Sequence, residues 1–184
     1  MIKQLPGSTA LALMTLLAGC ASSPMSADKA PAVPDSLKVP SGQVLSQTFR
    51  ATGVQIYTCT QSKGDAQKYE WSLKAPEATL LDNAGNKAGK HYGGPTWEAN
   101  DGSKVVGEVK GKDNGPDANA IPWLLLSAKS VSGKGIFSEV QSVQRLYTKA
   151  GTAPAMGCTD AAQKGAEIRV PYTATYYFYT AAKS

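Results

Sequence analysis

The sequence predicts an all-β fold, an antiparallel β-sandwich or barrel-like single domain with little helix. Three observations predict it. Apolar and polar residues alternate with period two, most clearly at residues 54–59 and 69–74. Turns rich in Gly and Asn separate such runs, and no long stretch shows the period of an amphipathic helix. Short strands with frequent turns are typical of sandwiches and barrels.

Each predicted strand is a run of alternating, β-branched or aromatic residues between turn signals. In chain order the predicted strands are residues 43–50, 54–59, 69–74, 79–82, 96–99, 104–110, 123–131, 139–147 and 166–179. The predicted turns are residues 82–86, 100–103 and 132–135. A short helix is expected near residues 160–164 or at residues 140–146. Aromatic residues on both faces of 172–179 predict a central strand covered on two sides.

A short leader precedes the predicted strands. It has one positive charge, Lys3, and an apolar core at residues 10–18, followed by small residues. This layout is typical of a secretory signal peptide. The apolar core is shorter than the roughly 20 residues that a membrane-spanning helix needs. The leader is therefore predicted to direct export and not to anchor the chain.

The end of the leader, Leu17-Ala18-Gly19-Cys20, resembles the lipobox of bacterial lipoproteins. The resemblance implies that residues 1–19 are a signal peptide and that Cys20 carries diacylglycerol and palmitate. Residues 20–38, rich in small residues and proline, are predicted to form a flexible tether to the domain at 39–182. Ala21 after the cysteine, where Asp is absent, implies the outer membrane, facing the periplasm, in a Gram-negative cell. A plain secretory peptide with a chance cysteine is the alternative.

Composition limits the function classes. The formal net charge is +5, and the basic residues are scattered, without a cluster interleaved with aromatic residues. Nucleic-acid binding is therefore not supported, and the charge allows at most some affinity for anionic cell-wall or lipid surfaces. The roughly 150 residues after the tether match the usual size of one domain with its own core.

The cysteines predict one disulfide. With Cys20 committed to lipid, Cys59 and Cys158 remain, and an even pair in an oxidising compartment is most simply a disulfide. Closing a loop of about 100 residues stabilises a fold by up to about 4.7 kcal/mol. The chain has one histidine and no Cys-x-x-Cys, so a zinc or redox site lacks partners. No metal and no cofactor are predicted.

Residues 91–98 hold the densest group of candidate site residues. His91 can move a proton, Glu98 is an acid, and Tyr92 and Trp97 are aromatic surfaces on which a sugar or small ligand can stack. The alternative is a joint between two strands, in which Gly-Gly-Pro makes the bend and Trp97 fills the core. If the domain binds a ligand, we expect Tyr92, Trp97 and Trp123 to gather around it. His91, Glu98 and Arg145 would then be the polar partners.

Enzymatic activity is uncertain, and a non-catalytic domain is the preferred interpretation. Nucleophilic catalysis needs an activated serine, and no Gly-x-Ser-x-Gly elbow is present. A hydrolase with two carboxylates needs a defined separation, which sequence does not set; the candidate acids are Glu70, Glu98, Glu108 and Glu139. Residues 113–119 carry four oxygen-bearing side chains, but their spacing does not fit an EF-hand, so a solvated loop is expected.

Several blocks of the chain look like the DUF3455 family of uncharacterised secreted proteins from bacteria and fungi. The similar region spans about residues 39–180, and its blocks are residues 92–97, 121–125, 143–146 leading to Cys158, and 170–179. The family carries no established activity. Some fungal relatives are labelled malate dehydrogenase, but this chain has no Gly-x-Gly-x-x-Gly after a strand and no βα alternation, so a nicotinamide-binding fold is not supported.

The sequence therefore predicts a cell-envelope protein, held to the membrane by the lipid on Cys20, that acts as a binding or structural module. Its partner is a glycan, a small molecule or an envelope protein. The alternative function is an envelope hydrolase that acts on a glycan or similar small polar substrate, with His91 or Glu98 as its acid or base.

Overall fold

The computed structural model describes Met1 and residues 29–183, so the leader and Cys20 lie outside the described residues. Eight antiparallel strands form a closed barrel in which each strand pairs with the next one, and the last strand closes on the first. The strands are β1 (Gln43–Gln61), β2 (Tyr69–Leu81), β3 (Lys87–Tyr92), β4 (Thr96–Ala99), β5 (Lys104–Asp113), β6 (Trp123–Ser132), β7 (Val140–Ala150) and β8 (Glu167–Ala181). The predicted all-β class is confirmed, and the barrel is the form it takes.

The described helical structure is limited to two 3₁₀ turns, Asp35–Leu37 and Ala161–Gln163. The second lies where one short helix was predicted, and the carboxylate of Asp160 caps it by accepting from the Ala162 N–H (2.8 Å). The other predicted location, residues 140–146, is part of strand β7. Among the described residues, no helix is long and apolar enough to span a membrane.

The first hairpin consists of β1 and β2, and each of these strands covers two of the predicted strands. β1 unites the predicted strands 43–50 and 54–59, and β2 unites the predicted strands 69–74 and 79–82, the last of which ends one residue earlier, at Leu81. Gly53 lets β1 continue, because a Cβ there would lie 2.1 Å from the Glu77 carbonyl oxygen of β2. Strand β3 was not predicted, since its sequence, Lys-Ala-Gly-Lys-His-Tyr, has no β-branched residue.

One end of the barrel interior is filled with aromatic rings, and we call it the aromatic end, defined by Phe49, Phe137 and Phe178. Phe137 comes from the β6–β7 loop and is fully buried. Its ring centroid lies 4.5 Å from that of Phe178 and 6.0 Å from that of Phe49. The loop is fixed by the carboxylate of Asp101, which accepts from the Ile136 N–H (2.9 Å). These contacts close this end.

A second apolar cluster lies between the N-terminal segment and the outer surface of the barrel. It contains Leu37, Trp123, Leu125 and Leu146, with Val33, Val39 and Tyr177 at its margin. Gln144 links the N-terminal segment to the barrel through two hydrogen bonds. Its amide donates to the Leu37 carbonyl (2.7 Å) and accepts from the Tyr179 hydroxyl (2.6 Å). The stretch predicted as a tether is described from Lys29 onward, and its last residues pack in this cluster.

The predicted disulfide between Cys59 and Cys158 is present, with a Cα–Cα distance of 5.4 Å. It joins the end of β1 to the segment that connects β7 and β8. The indole of Trp71 on β2 adds a hydrogen bond to the Met156 carbonyl in the same segment (2.9 Å). Both links lie at the end of the barrel opposite the aromatic end.

Candidate ligand cavity

A short hairpin leaves an opening in the barrel wall. Strand β3 pairs with β2 only along Ala78–Leu81, and β4 pairs with β5 only along Lys104–Val106. The turn after β3 then ends the pairing, with the Gly107 N–H of β5 bonded to the Pro95 carbonyl (2.9 Å). The first part of β2, residues 69–77, and the last part of β5, residues 109–113, are therefore not bridged by a strand. The gap gives access to the interior.

The gap leads into a cavity of about 270 Å³. Most of its lining is apolar, and two rim side chains, Leu73 of β2 and Val109 of β5, are 56% and 51% exposed. The lining residues are Gln55, Leu73, Lys74, Ala75, Pro76, His91, Gly94, Pro95, Trp97, Val109, Leu124, Leu126, Arg145 and Tyr176. A concave apolar site with a few polar groups is the usual form of a small-molecule site.

Two polar groups in the lining are buried without a partner. Gln55 on β1 and Trp97 on β4 are each 1% exposed. Among the described residues, neither the Gln55 Nε2 nor the Trp97 Nε1 has a hydrogen-bond partner. A buried N–H donor left without an acceptor costs about 1–3 kcal/mol of stability. Each nitrogen exposes less than 1 Å² of surface, so an acceptor in the cavity reaches these donors only after the lining side chains rotate.

The cavity lining is positively charged. Arg145 on β7 is half-buried, and its Nε and Nη2 both donate to the Pro122 carbonyl, at 3.1 and 2.8 Å. It takes part in none of the ion pairs among the described residues. The lining also contains Lys74 and no aspartate or glutamate. The interior therefore favours negative charge.

His91 on β3 is buried in the cavity wall and neutral at pH 7. Its Nδ1 lies 2.8 Å from the Thr96 carbonyl, and since a carbonyl only accepts, Nδ1 carries the hydrogen. The ring stacks on Trp97, with centroids 4.5 Å apart. Burial lowers the pKa of His91 to about 3, the Thr96 carbonyl opposes this shift, and the Arg145 charge adds to it. The lone pair is on Nε2.

The buried tyrosines near the cavity also remain neutral. The hydroxyl oxygens of Tyr172 and Tyr176 on β8 are 3.3 Å apart. Burial raises the pKa of both hydroxyls above its ordinary value. Burial likewise raises the pKa of Tyr57, whose hydroxyl donates to the Gly151 carbonyl (2.7 Å). The charged side chains of the lining are thus Arg145 and Lys74.

Residues 40–180 match the model of a family described as "Protein of unknown function (DUF3455)". The chain belongs to the DUF3455 family. No curated protein and no solved structure matches it. The matched region runs from just before β1 almost to the end of β8. It therefore includes the DUF3455 barrel, the disulfide and the cavity, and the family itself names no ligand.

The DUF3455 barrel brings together half of the residues that the sequence singled out. His91, Trp97 and Arg145 line the cavity. Tyr92 and Glu98 lie on the other face of the β3–β4 hairpin, because neighbours along a strand point to opposite faces. Trp123 packs in the outer cluster against the N-terminal segment. The three aromatic residues expected to gather do not meet.

Glu98 is held on the outer surface. Its carboxylate accepts from the Tyr92 hydroxyl (2.8 Å) and pairs with Lys90 (3.4 Å) and Lys104 (3.3 Å). The hydrogen bond from Tyr92 is the main cause that lowers the pKa of Glu98. The other candidate acids, Glu70, Glu108 and Glu139, are absent from the cavity lining. None of the predicted acids lines the cavity beside His91.

Two residues important to the cavity were missed. Gln55 occupies an inward position of β1 with buried Ala51 and Tyr57, whereas Val54 and Ile56, the apolar side of the predicted alternation, are only half-buried, so the sequence indicated the opposite face. Gly107 makes room for the indole, because a Cβ there would lie 2.9 Å from Trp97 Cζ3 and from Leu126 Cδ2. Only the fold shows which ring Gly107 faces.

The oxygen-rich segment at residues 113–119 forms turns. The Asp113 carboxylate accepts from the Gly115 N–H (2.7 Å), and that of Asp117 accepts from the Asn119 N–H (3.1 Å). Asp117 also pairs with Lys149 (3.2 Å). In the part of the chain that the structure describes, no group of three or more His, Cys, Asp or Glu residues is placed to hold a metal ion.

Proposed function

We propose that this DUF3455 domain is a non-catalytic binding module that holds one small, largely apolar molecule in the barrel cavity. The observation that carries the proposal is the pair of unpartnered donors, Gln55 Nε2 and Trp97 Nε1, which are buried in the lining of an accessible cavity. Buried donors in proteins are normally paired. A ligand whose acceptor atom reaches them, once the lining side chains rotate, pairs them.

The cavity size sets the size of the ligand. Its volume of about 270 Å³ lies just below the range of about 300–1,000 Å³ that is usual for small-molecule sites. This space suits a monocyclic or short-chain compound. Eight-stranded barrels have an interior that side chains either fill or leave open for one small ligand. The apolar rim at Leu73 and Val109 suits an apolar body.

The arrangement supports binding better than hydrolysis. An acid–base pair must act on the same bond, whereas His91 lies inside the barrel and Glu98 lies outside it. Burial holds the pKa of His91 near 3, which makes it a weak base at neutral pH. The cavity lining has no carboxylate to replace Glu98. The described residues thus favour a module that holds its ligand unchanged.

The proposed location of the module is the cell envelope, through a lipid on Cys20. The supports are the leader and the Leu-Ala-Gly-Cys sequence that ends it. A disulfide between Cys59 and Cys158 fits an oxidising compartment. We place the protein at the outer membrane, facing the periplasm. The module would then meet small molecules that cross this space.

Replacement of Cys20 tests the anchor. Cys20→Ser is expected to abolish labelling by radioactive palmitate and to move the protein from the membrane fraction to the soluble fraction. Ser22→Ala, a small change two residues away, should leave both properties as in the wild type. Membrane retention of Cys20→Ser together with unlabelled wild-type protein would refute the lipid anchor.

Nuclear magnetic resonance tests the cavity. The indole N–H signals of the chain's three tryptophans are assigned with Trp→Phe variants, and a series from benzyl alcohol to 4-phenyl-1-butanol is titrated. We expect saturable shifts of the Trp97 signal. Val109→Phe at the rim should weaken binding about tenfold by filling the opening. Val131→Phe, at an exposed valine outside the cavity lining, should bind normally. Absence of any Trp97 shift across the series would refute the proposal.

A further inference from the structure

We propose that the ligand carries a carboxylate, which Arg145 and the two unpartnered donors, Gln55 Nε2 and Trp97 Nε1, receive inside the barrel. This inference rests on the proposed function, because it names the chemical class of the molecule that the cavity holds. Two observations support it: the positive charge of the cavity lining and the N–H donors in that lining.

The first argument is the uncompensated charge of Arg145. The guanidinium is half-buried, and among the described residues no carboxylate pairs with it. A buried cation without a partner is unfavourable, and a partner of opposite charge offsets part of that cost. The Pro122 carbonyl accepts from Nε and Nη2, and the Tyr176 hydroxyl is a further hydrogen-bond partner of the guanidinium. A guanidinium has five N–H donors, so others remain for an anion.

The other charged and titratable groups of the lining do not supply that anion. Lys74 is a second cation, and it is already bonded to Glu167 outside the cavity lining. His91 is neutral, and so is Tyr176. The field inside the cavity therefore comes chiefly from Arg145. A cationic ligand would be repelled, and a neutral one would leave the arginine unpaired.

The second argument is the match between donors and acceptors. Gln55 Nε2 and Trp97 Nε1 offer N–H groups, and Arg145 offers N–H groups with a full positive charge. An ionised carboxylate only accepts and has about four lone-pair positions, so one carboxylate serves several donors. Bonds with an ionised partner are about twice as strong as neutral ones. A phosphate dianion would exceed the single charge of Arg145, whereas a carboxylate equals it.

The remaining lining accounts for the rest of the molecule. Leu73, Val109 and Leu124 are apolar, and Leu73 and Val109 form the rim. The carboxylate therefore lies inward, and the apolar body extends towards the opening. A short aromatic or aliphatic monocarboxylate has this shape.

A matched pair of probes tests the inference. The compounds 4-phenylbutyrate and 4-phenyl-1-butanol share their apolar body and differ in the carboxylate, and both are titrated against the Trp97 indole signal. We expect the carboxylate to bind at least about tenfold more tightly. It should also move the Trp97 N–H signal further downfield, because an ionised acceptor makes the stronger bond.

Variants of Arg145 separate charge from structure. Arg145→Gln should remove the preference for the carboxylate, so that the two compounds bind with affinities within about twofold of each other. Arg50→Gln removes the same charge at an exposed position of β1, outside the cavity lining, and should keep the preference. Arg145→Lys retains a cation and should retain part of the preference, which keeps the test valid if Arg145→Gln does not fold.

The outcomes distinguish the two proposals. Equal binding of both compounds by the wild type would overturn the carboxylate inference and leave the binding module intact. An equal loss of both compounds in Arg145→Gln and Arg145→Lys would also overturn it, because the arginine would then maintain the cavity itself. Failure of both compounds to bind the folded wild type would overturn the proposed function as well.

Discussion

The two ends of the barrel interior are built on the same strands and differ in what fills them. At the aromatic end, Phe49, Phe137 and Phe178 pack ring against ring. At the cavity end, Gln55 and Trp97 leave N–H groups unpartnered among the described residues. The difference comes from the connections. A loop inserts Phe137 at one end, whereas the short β3–β4 hairpin leaves a gap at the other.

The comparison indicates that one end of the barrel contributes chiefly to stability and the other to binding. The aromatic end is apolar and closed, so its side chains contribute burial energy. The cavity end is less tightly packed. Two links stabilise it, the Cys59–Cys158 disulfide and the hydrogen bond from Tyr57 to the Gly151 carbonyl. Departures from good local packing are expected where a protein binds its ligand. Stability and binding are therefore expected to respond to different substitutions.

Phe137→Ala should have the largest effect on stability, because it empties the aromatic end. Removal of a fully buried phenylalanine side chain costs about 3–5 kcal/mol. Urea unfolding followed by circular dichroism measures the loss. Ile136→Ala, at the adjacent side chain that is 37% exposed, should cost less than about 1 kcal/mol. Similar losses in the two variants would show that Phe137 is not what closes this end.

Removal of the disulfide should have the next largest effect, and it should be concentrated at the cavity end. The bridge closes a sequence separation of 99 residues. Its loss in Cys59→Ala/Cys158→Ala should lower the free energy of unfolding by about 2–4 kcal/mol. Reduction of the wild type is the matched comparison and should give the same value. Hydrogen exchange should accelerate more near Cys59 than near Phe49, and uniform acceleration would contradict this difference between the two ends.

Two buried glutamines, each 1% exposed, sharpen the comparison. Gln144→Leu leaves the Leu37 carbonyl and the Tyr179 hydroxyl without their partner, so it should cost about 2–3 kcal/mol. Gln55→Leu removes a buried N–H group that has no partner, so it should not destabilise the fold and should raise the free energy of unfolding by up to about 1–3 kcal/mol. It should nevertheless weaken binding of 4-phenylbutyrate. Equal destabilisation by both substitutions, with unchanged binding, would mean that Gln55 is structural.

The smallest expected effect is a pH dependence that originates from His91. Its pKa is lowered from 6.5 to about 3 in the folded chain, so below pH 6.5 the unfolded chain binds a proton that the folded chain does not. Stability is therefore complete above pH 6.5 and is lost as the pH falls towards 3. Between pH 6.5 and 5 the loss should be about 1–2 kcal/mol.

His91→Asn is the control for this effect, because it keeps an N–H donor for the Thr96 carbonyl and does not titrate. The variant should show a flatter profile over the same pH range, which lies above the titration of most carboxyl groups. His91 is the chain's single histidine, so its ring signals in untagged protein report its protonation directly. A pKa of His91 near 6.5 in the folded protein would contradict its burial.

Local sequence patterns predicted a good part of the fold. Alternation located most strands, and turn residues located three of the connections, because side-chain period and turn geometry are properties of short segments. The same patterns missed β3, which has weak intrinsic preference for a strand and is held by its neighbours. They also divided β1 at Gly53, where only the approach of β2 explains a continuous strand.

The candidate site was predicted less completely for a related reason. His91 and Trp97 are adjacent across one hairpin, so a local cluster signalled them. Arg145 was predicted as a polar partner of the site, whereas Gln55 and Tyr176 come from strands far apart in the chain and were not predicted, because nothing local links them to the cluster. Glu98 and Tyr92 lie next to His91 and Trp97 in sequence but on the opposite face of the hairpin.

The sequence by itself determined the all-β class, the pairing of Cys59 with Cys158 and membership in the DUF3455 family. Composition, residue parity and short-range alternation are sufficient for such conclusions. Only the tertiary structure decided that the sheet closes into a barrel, that the β3–β4 hairpin is short enough to leave a gap, and that Gln55, Trp97 and Arg145 line one cavity. These features depend on strand register between distant segments. Register is set by the packing of the whole interior.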